Sequence, residues 1–307
     1  MTPGPQGVGR FAPSPTGALH LGNLRTALAS WLSARAQGGR WIVRMEDVDG
    51  PRCRRDLGER QLRDLADLGL ESDESVLWQS DRSERYRGAL ARLHGTGRLY
   101  PCACTRKDLQ LLASAPHAED ALRPYPGRCR GRAWEGFDRA LRLRLPEGEV
   151  AWEDLLLGPQ RDDPAALTGD PLLFRRDGCF AYHLAVVVDD GDQGVTEVVR
   201  GADLRGVTAT QIRLQEALGL PRPAYAHLGL VVGPDGARLG KRAGALDLAA
   251  LRARGIGLPH VLGWLGWSLG CLDRPDPCGL EDLVSRFAWV KVPPGEVRIP
   301  PAWCQEG

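Results

Sequence analysis

His20, Leu21, Gly22 and Asn23 close the stretch Arg10 to Asn23, RFAPSPTGALHLGN, and their types and placing point to a nucleotide site. Pro13 and Pro15 deny helix to what precedes, and Gly17 permits a sharp turn into an amphipathic run. Leu21, Leu24, Leu28, Trp31 and Leu32 then recur at helical spacing, until Gly38 and Gly39 end the run. A helix start offers free backbone N–H groups and the positive end of a dipole, which favour phosphates. Gly22, lacking Cβ, leaves room for an adenine ring against the backbone. His20 is placed to donate to phosphoryl oxygens as charge builds on them. Alone, these four residues read equally well as a surface histidine on an ordinary loop.

Lys241 is the second candidate, in Arg238-Leu239-Gly240-Lys241-Arg242, on a Gly-rich loop after the strand-like Leu228 to Val232. Of 40 basic residues only those at 107, 241 and 291 are lysine, so a lysine here stands out. An ammonium is a compact point charge suited to a phosphate oxygen, whereas a guanidinium prefers a planar fork. Alone, this motif reads as a solvated basic turn.

Eight cysteines, at 53, 102, 104, 129, 179, 271, 278 and 304, would allow disulfides, but nucleotide-dependent chemistry belongs to a reducing cytosol. Cys102, Cys104 and Cys129 cluster in a Pro- and Arg-rich stretch, 100 to 136, with little core of its own. Three thiolates there fit a tetrahedral Zn²⁺ site that staples an insertion, with His117 or Tyr125 as fourth ligand. Chemistry alone favours the imidazole of His117.

The elements that must position these groups alternate. The spacing predicts helix 21–37, strand 41–46, helix 54–68 and helix 82–96, then the cysteine insertion. Strands near 181–188 and 195–200, helix 209–218 and strand 225–232 follow, with helices over 246–254 and 259–269 at the end. Trp264, Leu265 and Trp267 read as core packing. Such alternation argues an α/β protein with a Rossmann-like, doubly wound parallel sheet. With 307 residues, 43% of them hydrophobic, the chain has ample core for about two domains. Its net charge of +1 gives no global nucleic-acid signal, so any RNA contact falls to local arginine runs such as 123–132 or 52–55. The N-terminus lacks the apolar core of a signal peptide, and no segment has the ~20 apolar residues of a membrane span. These features argue a cytoplasmic protein with no membrane contact, and no obligate protein partner is evident.

HLGN and RLGKR together resemble the HIGH and KMSKS signatures of class I aminoacyl-tRNA synthetases, with Gly240 in place of the usual serine. RFAPSPTGALHLGN, WIVRMEDVD (41–49), YHLAVVVDD (182–190) and VVRGADL (198–204) narrow the likeness to the glutamyl branch, over residues 10 to about 270. The resemblance implies an amino-acid pocket of Arg10, Ala12, Ser14, Glu46, Tyr182 and Arg200, and ATP bound by His20, Gly22, Asn23 and Lys241 with Mg²⁺. That set suits L-glutamate: arginine forks for two carboxylates, Glu46 for the ammonium, Ser14 and the Tyr182 hydroxyl for the remainder. Which arginine takes the side-chain carboxylate stays open. Taken singly, Glu46 reads as a strand charge, Arg200 as a salt-bridge partner and Tyr182 as a core aromatic. The family's Cys-x-Cys and Tyr-x-x-x-Cys pattern favours Tyr125 as the fourth ligand to structural zinc.

The resemblance also implies an organisation. Residues 1–97 and 181–244 form the two halves of the catalytic domain, 98–180 an insertion holding the zinc and meeting the acceptor, and 245–307 a helical stem-contact-like region. No anticodon-binding domain is expected. Such a chain most resembles the truncated branch that esterifies glutamate onto queuosine in the anticodon loop of tRNA(Asp). VVRGADLRGVTATQ, with Gly201-Ala202-Asp203, Thr208 and Gln211, looks more like that branch than like full-length enzymes. The alternatives are a minimal glutamyl-tRNA synthetase charging a tRNA 3′ end, and a non-catalytic RNA-binding relic.

Overall fold

The computed structural model describes residues 7–50, 52–105, 124–133, 139–237 and 246–304. Lys241 with the rest of the RLGKR motif, and His117, lie outside them. In chain order the elements are β1 (Val8–Phe11), α1 (Leu21–Ala36), β2 (Arg40–Met45), α2 (Arg55–Asp67), β3 (Leu77–Trp78) and α3 (Ser83–Gly95). Then come β4 (Leu99–Cys102), β5 (Ala140–Leu143), β6 (Val150–Asp154), β7 (Gly158–Asp162) and β8 (Leu172–Phe174). The second half holds α4 (Tyr182–Asp192), β9 (Glu197–Gly201), α5 (Thr208–Leu218), β10 (Ala224–Leu228), β11 (Val231–Val232), α6 (Leu248–Ala253), α7 (Leu258–Ser268) and β12 (Val297–Arg298).

Seven strands form the main sheet in the order β3-β2-β1-β9-β10-β6-β7, parallel except for the β6–β7 hairpin. The chain runs outward from β1 through β2 to β3, then returns to the other side of β1 as β9. Strand order therefore reverses between β1 and β9, the switch point at which doubly wound sheets bind ligands beyond the carboxyl ends of their strands. Arg10 and Arg200 sit near those two ends. β4, β5 and β8 make a separate antiparallel sheet, so of the stretch 98–180 only part stands apart, while β6 and β7 extend the main sheet.

Helix α1 is buried on nearly every side, because its Leu21, Leu24, Leu28 and Leu32 share one core with Trp264 and Leu265 of α7 and with Phe287 and Ile299. Trp267, expected in the core, is 37% exposed. Arg25, fully buried in α1, donates to the Gly229 carbonyl (2.8 Å) and to the Ser268 carbonyl (2.9 Å), tying α1 to α7. Among the described residues no helix is long and apolar enough to cross a membrane.

The one element of the wrong type is 181–188, expected as a strand and found within α4. Its run Val186-Val187-Val188 favours strand by composition, but the helix is covered on all faces from Leu184 to Asp190, so periodicity carries no signal there. The strand expected over 225–232 is split into β10 and β11. Within α4, buried Asp189 accepts from Gln79 (2.8 Å), Arg82 (2.6 Å) and the Tyr86 hydroxyl (2.7 Å), pinning α4 to α3. Asp189→Ala strands these three donors and should destabilise the fold by about 3 kcal/mol, whereas Asp189→Asn costs less. Thermal unfolding of both variants checks the order; equal melting temperatures for Asp189→Ala and the parent would contradict it.

Candidate active site

His20 caps α1 with its own ring. Nδ1 accepts from the N–H groups of Gly22 (3.1 Å) and Asn23 (3.3 Å), while the Asn23 side chain accepts from the His20 N–H (3.2 Å). These N–H groups are therefore engaged, not free for phosphate as the sequence suggests. The consequence is chemical: with the Nδ1 lone pair committed to the helix, the neutral ring carries its proton on Nε2. Burial lowers the His20 pKa below its ordinary value, against a weaker upward pull from Asp203, and this keeps the ring neutral. A Cβ on residue 22 would lie 2.9 Å from the His20 ring, so Gly22 makes room for this cap. The chain resumes after the RLGKR motif beside the same point, since Asp247 bridges to His20 backbone to backbone.

The expected amino-acid residues converge at the switch point. Arg10, on β1, donates to the Val199 carbonyl (3.1 Å) and reaches Asp190 at 3.4 Å. Arg44, on β2 and fully buried, donates to Asp190 (2.7 Å) and to Gln193 (2.9 Å) and lies 3.5 Å from Glu46. Burial pushes the Glu46 carboxyl up, with Arg44 and Arg10 opposing. Burial also acts on Asp190, but Arg44 and Arg10 outweigh it and hold that carboxyl below its usual range. Burial raises the Tyr182 phenol, and its hydroxyl senses Glu46, Arg200 and Arg10 together. Ala12 and Ser14 follow β1 in the loop towards His20, Ser14 exposed.

Arg200 differs from its neighbours. It is 4% exposed, yet its three nitrogens donate only to neutral groups: Nε to His227 Nε2 (3.1 Å), Nη1 to Gln211 Oε1 (2.7 Å) and Nη2 to Thr208 Oγ1 (2.8 Å). Among the described residues no carboxylate pairs with it. A guanidinium has five N–H donors, so one on each terminal nitrogen stays unused and can serve a ligand carboxylate. Gln211 Nε2, also buried, has no partner within hydrogen-bond geometry. Arg10 and Arg44 both reach Asp190, and Arg44 also lies beside Glu46, whereas Arg200 is separated from the carboxylate of Asp154 by His227. Arg10 thus has a carboxylate partner at 3.4 Å, and Arg200 has none in direct contact among the described residues. Sequence reasoning missed Arg44 and Asp190, although both lie inside the motifs WIVRMEDVD and YHLAVVVDD, and it gave no role to Thr208, Gln211, His227 or Asp154.

Cys102, Cys104 and Cys129 come together with their sulfurs within 4.8 Å of one another, a group that could hold a metal ion. The Tyr125 hydroxyl lies 3.5 Å from Cys102 Sγ and 3.9 Å from Cys104 Sγ, and it accepts from the Cys129 N–H (3.2 Å). Burial pushes the Cys129 thiol up, but hydrogen bonds from Tyr125 and the Ala103 backbone outweigh this and bring it to about 7. Arg142 covers the Tyr125 ring, 3.9 Å from its centre. Arg130 forks onto buried Asp170 (2.7 and 2.9 Å), which joins the cysteine loop to the β4–β5–β8 sheet. The other five cysteines are free, as expected.

A buried cluster of arginines and carboxylates, lying at the switch point of a parallel sheet beside a histidine-capped helix, defines a class I synthetase catalytic domain. The profile described as "tRNA synthetases class I (E and Q), catalytic domain" matches residues 8–262, and the chain belongs to this family. Within it, the chain is similar to the Glutamyl-Q tRNA(Asp) synthetase of Symbiobacterium thermophilum, 49% identical over 309 residues and 95% of both chains. The protein of the same name from Geobacter sulfurreducens is 49% identical over 272 residues, 87% of each chain. Among solved structures, a glutamate tRNA ligase from Elizabethkingia meningosepticum in complex with its amino acid superposes with a TM-score of 0.84 at 26% identity. The match spans 97% of this chain and 68% of that one.

Proposed function

We propose that this chain activates L-glutamate with ATP and transfers it to queuosine in the anticodon loop of tRNA(Asp), with Arg200 taking a glutamate carboxylate. The observation that carries the pocket is the buried Arg200 guanidinium, whose hydrogen bonds among the described residues go only to neutral side chains. Glutamate, with two carboxylates and one ammonium, brings a carboxylate for the Arg200 guanidinium to meet directly. Glu46 receives the ammonium, which restores the ionised form that burial disfavours. In the first step a glutamate α-carboxylate oxygen attacks the α-phosphorus of ATP and pyrophosphate leaves. In the second an acceptor hydroxyl attacks the activated carbonyl and AMP leaves. Neither step needs a covalent enzyme intermediate, so catalysis rests on positioning and charge stabilisation. His20 Nε2–H and Lys241 act on the phosphates, and Mg²⁺ accompanies the nucleotide. Glutamate-dependent pyrophosphate exchange without tRNA tests the first step. Mass analysis of glutamylated tRNA fragments tests the second, and label at the 3′ end would favour a minimal glutamyl-tRNA synthetase instead.

Cys102, Cys104, Tyr125 and Cys129 would hold one structural Zn²⁺. In a tetrahedron with bonds of about 2.3 Å to sulfur and about 2.0 Å to oxygen, sulfurs stand about 3.8 Å apart and sulfur and oxygen about 3.5 Å. The distances here, 3.9 Å from Cys104 to Cys129 and 3.5 and 3.9 Å from sulfur to the Tyr125 oxygen, fit that figure. Bound zinc would order an insertion poor in apolar residues. We expect about one zinc per chain, and loss of it in Cys102→Ser, Cys104→Ser protein, with transfer to tRNA impaired more than pyrophosphate exchange. Protein purified without chelators and free of zinc would rule the site out. Zinc retained in Tyr125→Phe but lost in His117→Ala would move the fourth ligand to His117.

A further inference from the structure

The pocket's arginine is itself held by a buried chain that crosses three neighbouring strands. His227 on β10 is the direct cross-strand partner of Arg200 on β9, and Tyr225, two residues earlier, pairs with Asp154 at the end of β6. Asp154 Oδ2 lies 2.5 Å from His227 Nδ1, with both side chains fully buried. The other Asp154 oxygen accepts from the N–H groups of Leu156 (3.1 Å), Leu157 (3.0 Å) and His227 (3.3 Å), so the carboxylate has no freedom to turn away.

A carboxylate oxygen only accepts, so His227 Nδ1 must be the protonated nitrogen and Nε2 the bare one. That is the only neutral tautomer in which Nε2 can accept from Arg200 Nε (3.1 Å) and from the Thr208 hydroxyl (3.2 Å). The hydroxyl, its proton given to His227, then accepts from Arg200 Nη2 (2.8 Å). The imidazole also lies parallel to the Tyr225 ring, 6.2 Å between centres, and the same ring faces the Arg200 guanidinium at 5.4 Å.

We infer that Asp154 and His227 are positioning residues of the glutamate pocket: Asp154 sets the His227 tautomer, and His227 with Thr208 fixes the plane and rotation of the Arg200 fork. This rests on the reading of Arg200 as the carboxylate-binding arginine. A fork held in one plane offers two parallel donors to a carboxylate. An amide, with one acceptor and one donor group, leaves one of those donors facing another donor. The dyad thereby sharpens the choice of glutamate over glutamine without touching either.

Asp154→Asn tests this with little change of shape. The asparagine oxygen keeps the backbone bonds, but its amide now donates to Nδ1, which moves the imidazole proton to Nε2 and sets it against Arg200 Nε–H. In pyrophosphate exchange we expect KM for glutamate to rise by about 10-fold or more, the preference for glutamate over glutamine to fall by a similar factor, and KM for ATP to hold. In His227→Gln protein, where an amide oxygen can accept from Arg200 without help, adding Asp154→Asn should change these values by less than about 3-fold. Wild-type glutamate KM and selectivity in Asp154→Asn, beside a large loss in Arg200→Lys, would overturn the dyad and leave the pocket standing. Normal glutamate kinetics in Arg200→Lys would overturn the pocket reading itself. A fall in kcat with both KM values and the glutamate preference unchanged, together with lowered thermal stability, would reduce Asp154 to a structural role.

Discussion

Arg200→Lys should lower kcat/KM for glutamate in pyrophosphate exchange by about 10²- to 10³-fold, the scale for losing a buried, hydrogen-bonded charge partner. Charge is retained in this variant, so the loss isolates geometry. A lysine ammonium offers three donors from a point, whereas Arg200 spends three donors on His227, Gln211 and Thr208 and still has one N–H on each terminal nitrogen. The same argument fixes selectivity in the parent protein. Glutamine brings an amide where glutamate brings its second carboxylate, so a guanidinium of the pocket loses its charged partner and glutamine should be activated at least about 10³-fold less well. Exchange assays with each amino acid measure both ratios. Comparable glutamine activation, or a lysine variant as active as the parent, would remove Arg200 from the pocket. Arg10→Lys should behave differently. Arg10 is already engaged by Asp190 and the Val199 carbonyl, so its replacement disturbs the charge network as well as the ligand.

Much of this arrangement was legible in the chain, and what was hidden has a common physical cause. The helix from Leu21 follows from local spacing, but the His20 cap, which takes up N–H groups that spacing alone leaves free, does not. Cys102, Cys104 and Cys129 likewise fall within thirty residues and their thiols point to a metal, whereas Tyr125 entered only through the resemblance. The pairing of Arg10 and Arg44 with Asp190 joins residues about 150 to 180 apart, and no local pattern encodes it. Asp190 was obscured further because a valine-rich segment reads as strand, which would have pointed alternate residues to opposite faces. As a helix, α4 sends Asp189 to α3 and Asp190 to the pocket. The choice between Arg10 and Arg200 was equally out of reach, since it depends on which arginine the fold leaves without a carboxylate. His227 illustrates the limit: in AYAHL it is one polar residue in an apolar strand, and only its neighbours on β9 and β6 give it a task.

His20→Asn separates two jobs that one ring performs. Asparagine is a good helix cap, so its oxygen should accept from Gly22 and Asn23 as Nδ1 does, and α1 should keep its stability. What it removes is Nε2–H, the donor that the cap turns outward. Adenylate formation should slow by about 10²-fold or more, the cost of deleting one transition-state donor, while KM for ATP changes little. His20→Ala loses the cap as well and should add about 1 kcal/mol of destabilisation to the same kinetic defect. The pH dependence follows from the same geometry. Burial lowers the His20 pKa from 6.5 against a weaker upward pull from Asp203, and protonation would in addition place a proton on Nδ1, facing two N–H groups. The cap is therefore intact above the unfolded value and is lost as pH falls through the lower, folded one, so the exchange rate should hold through pH 7 and decline only below 6.5. Rapid-quench measurement of adenylate formation, with thermal unfolding alongside, reads both effects. Near-normal rates in a fully folded His20→Asn protein would leave His20 as a cap alone and pass the phosphate role to Lys241, for which Lys241→Arg, keeping charge but not shape, is the matching test.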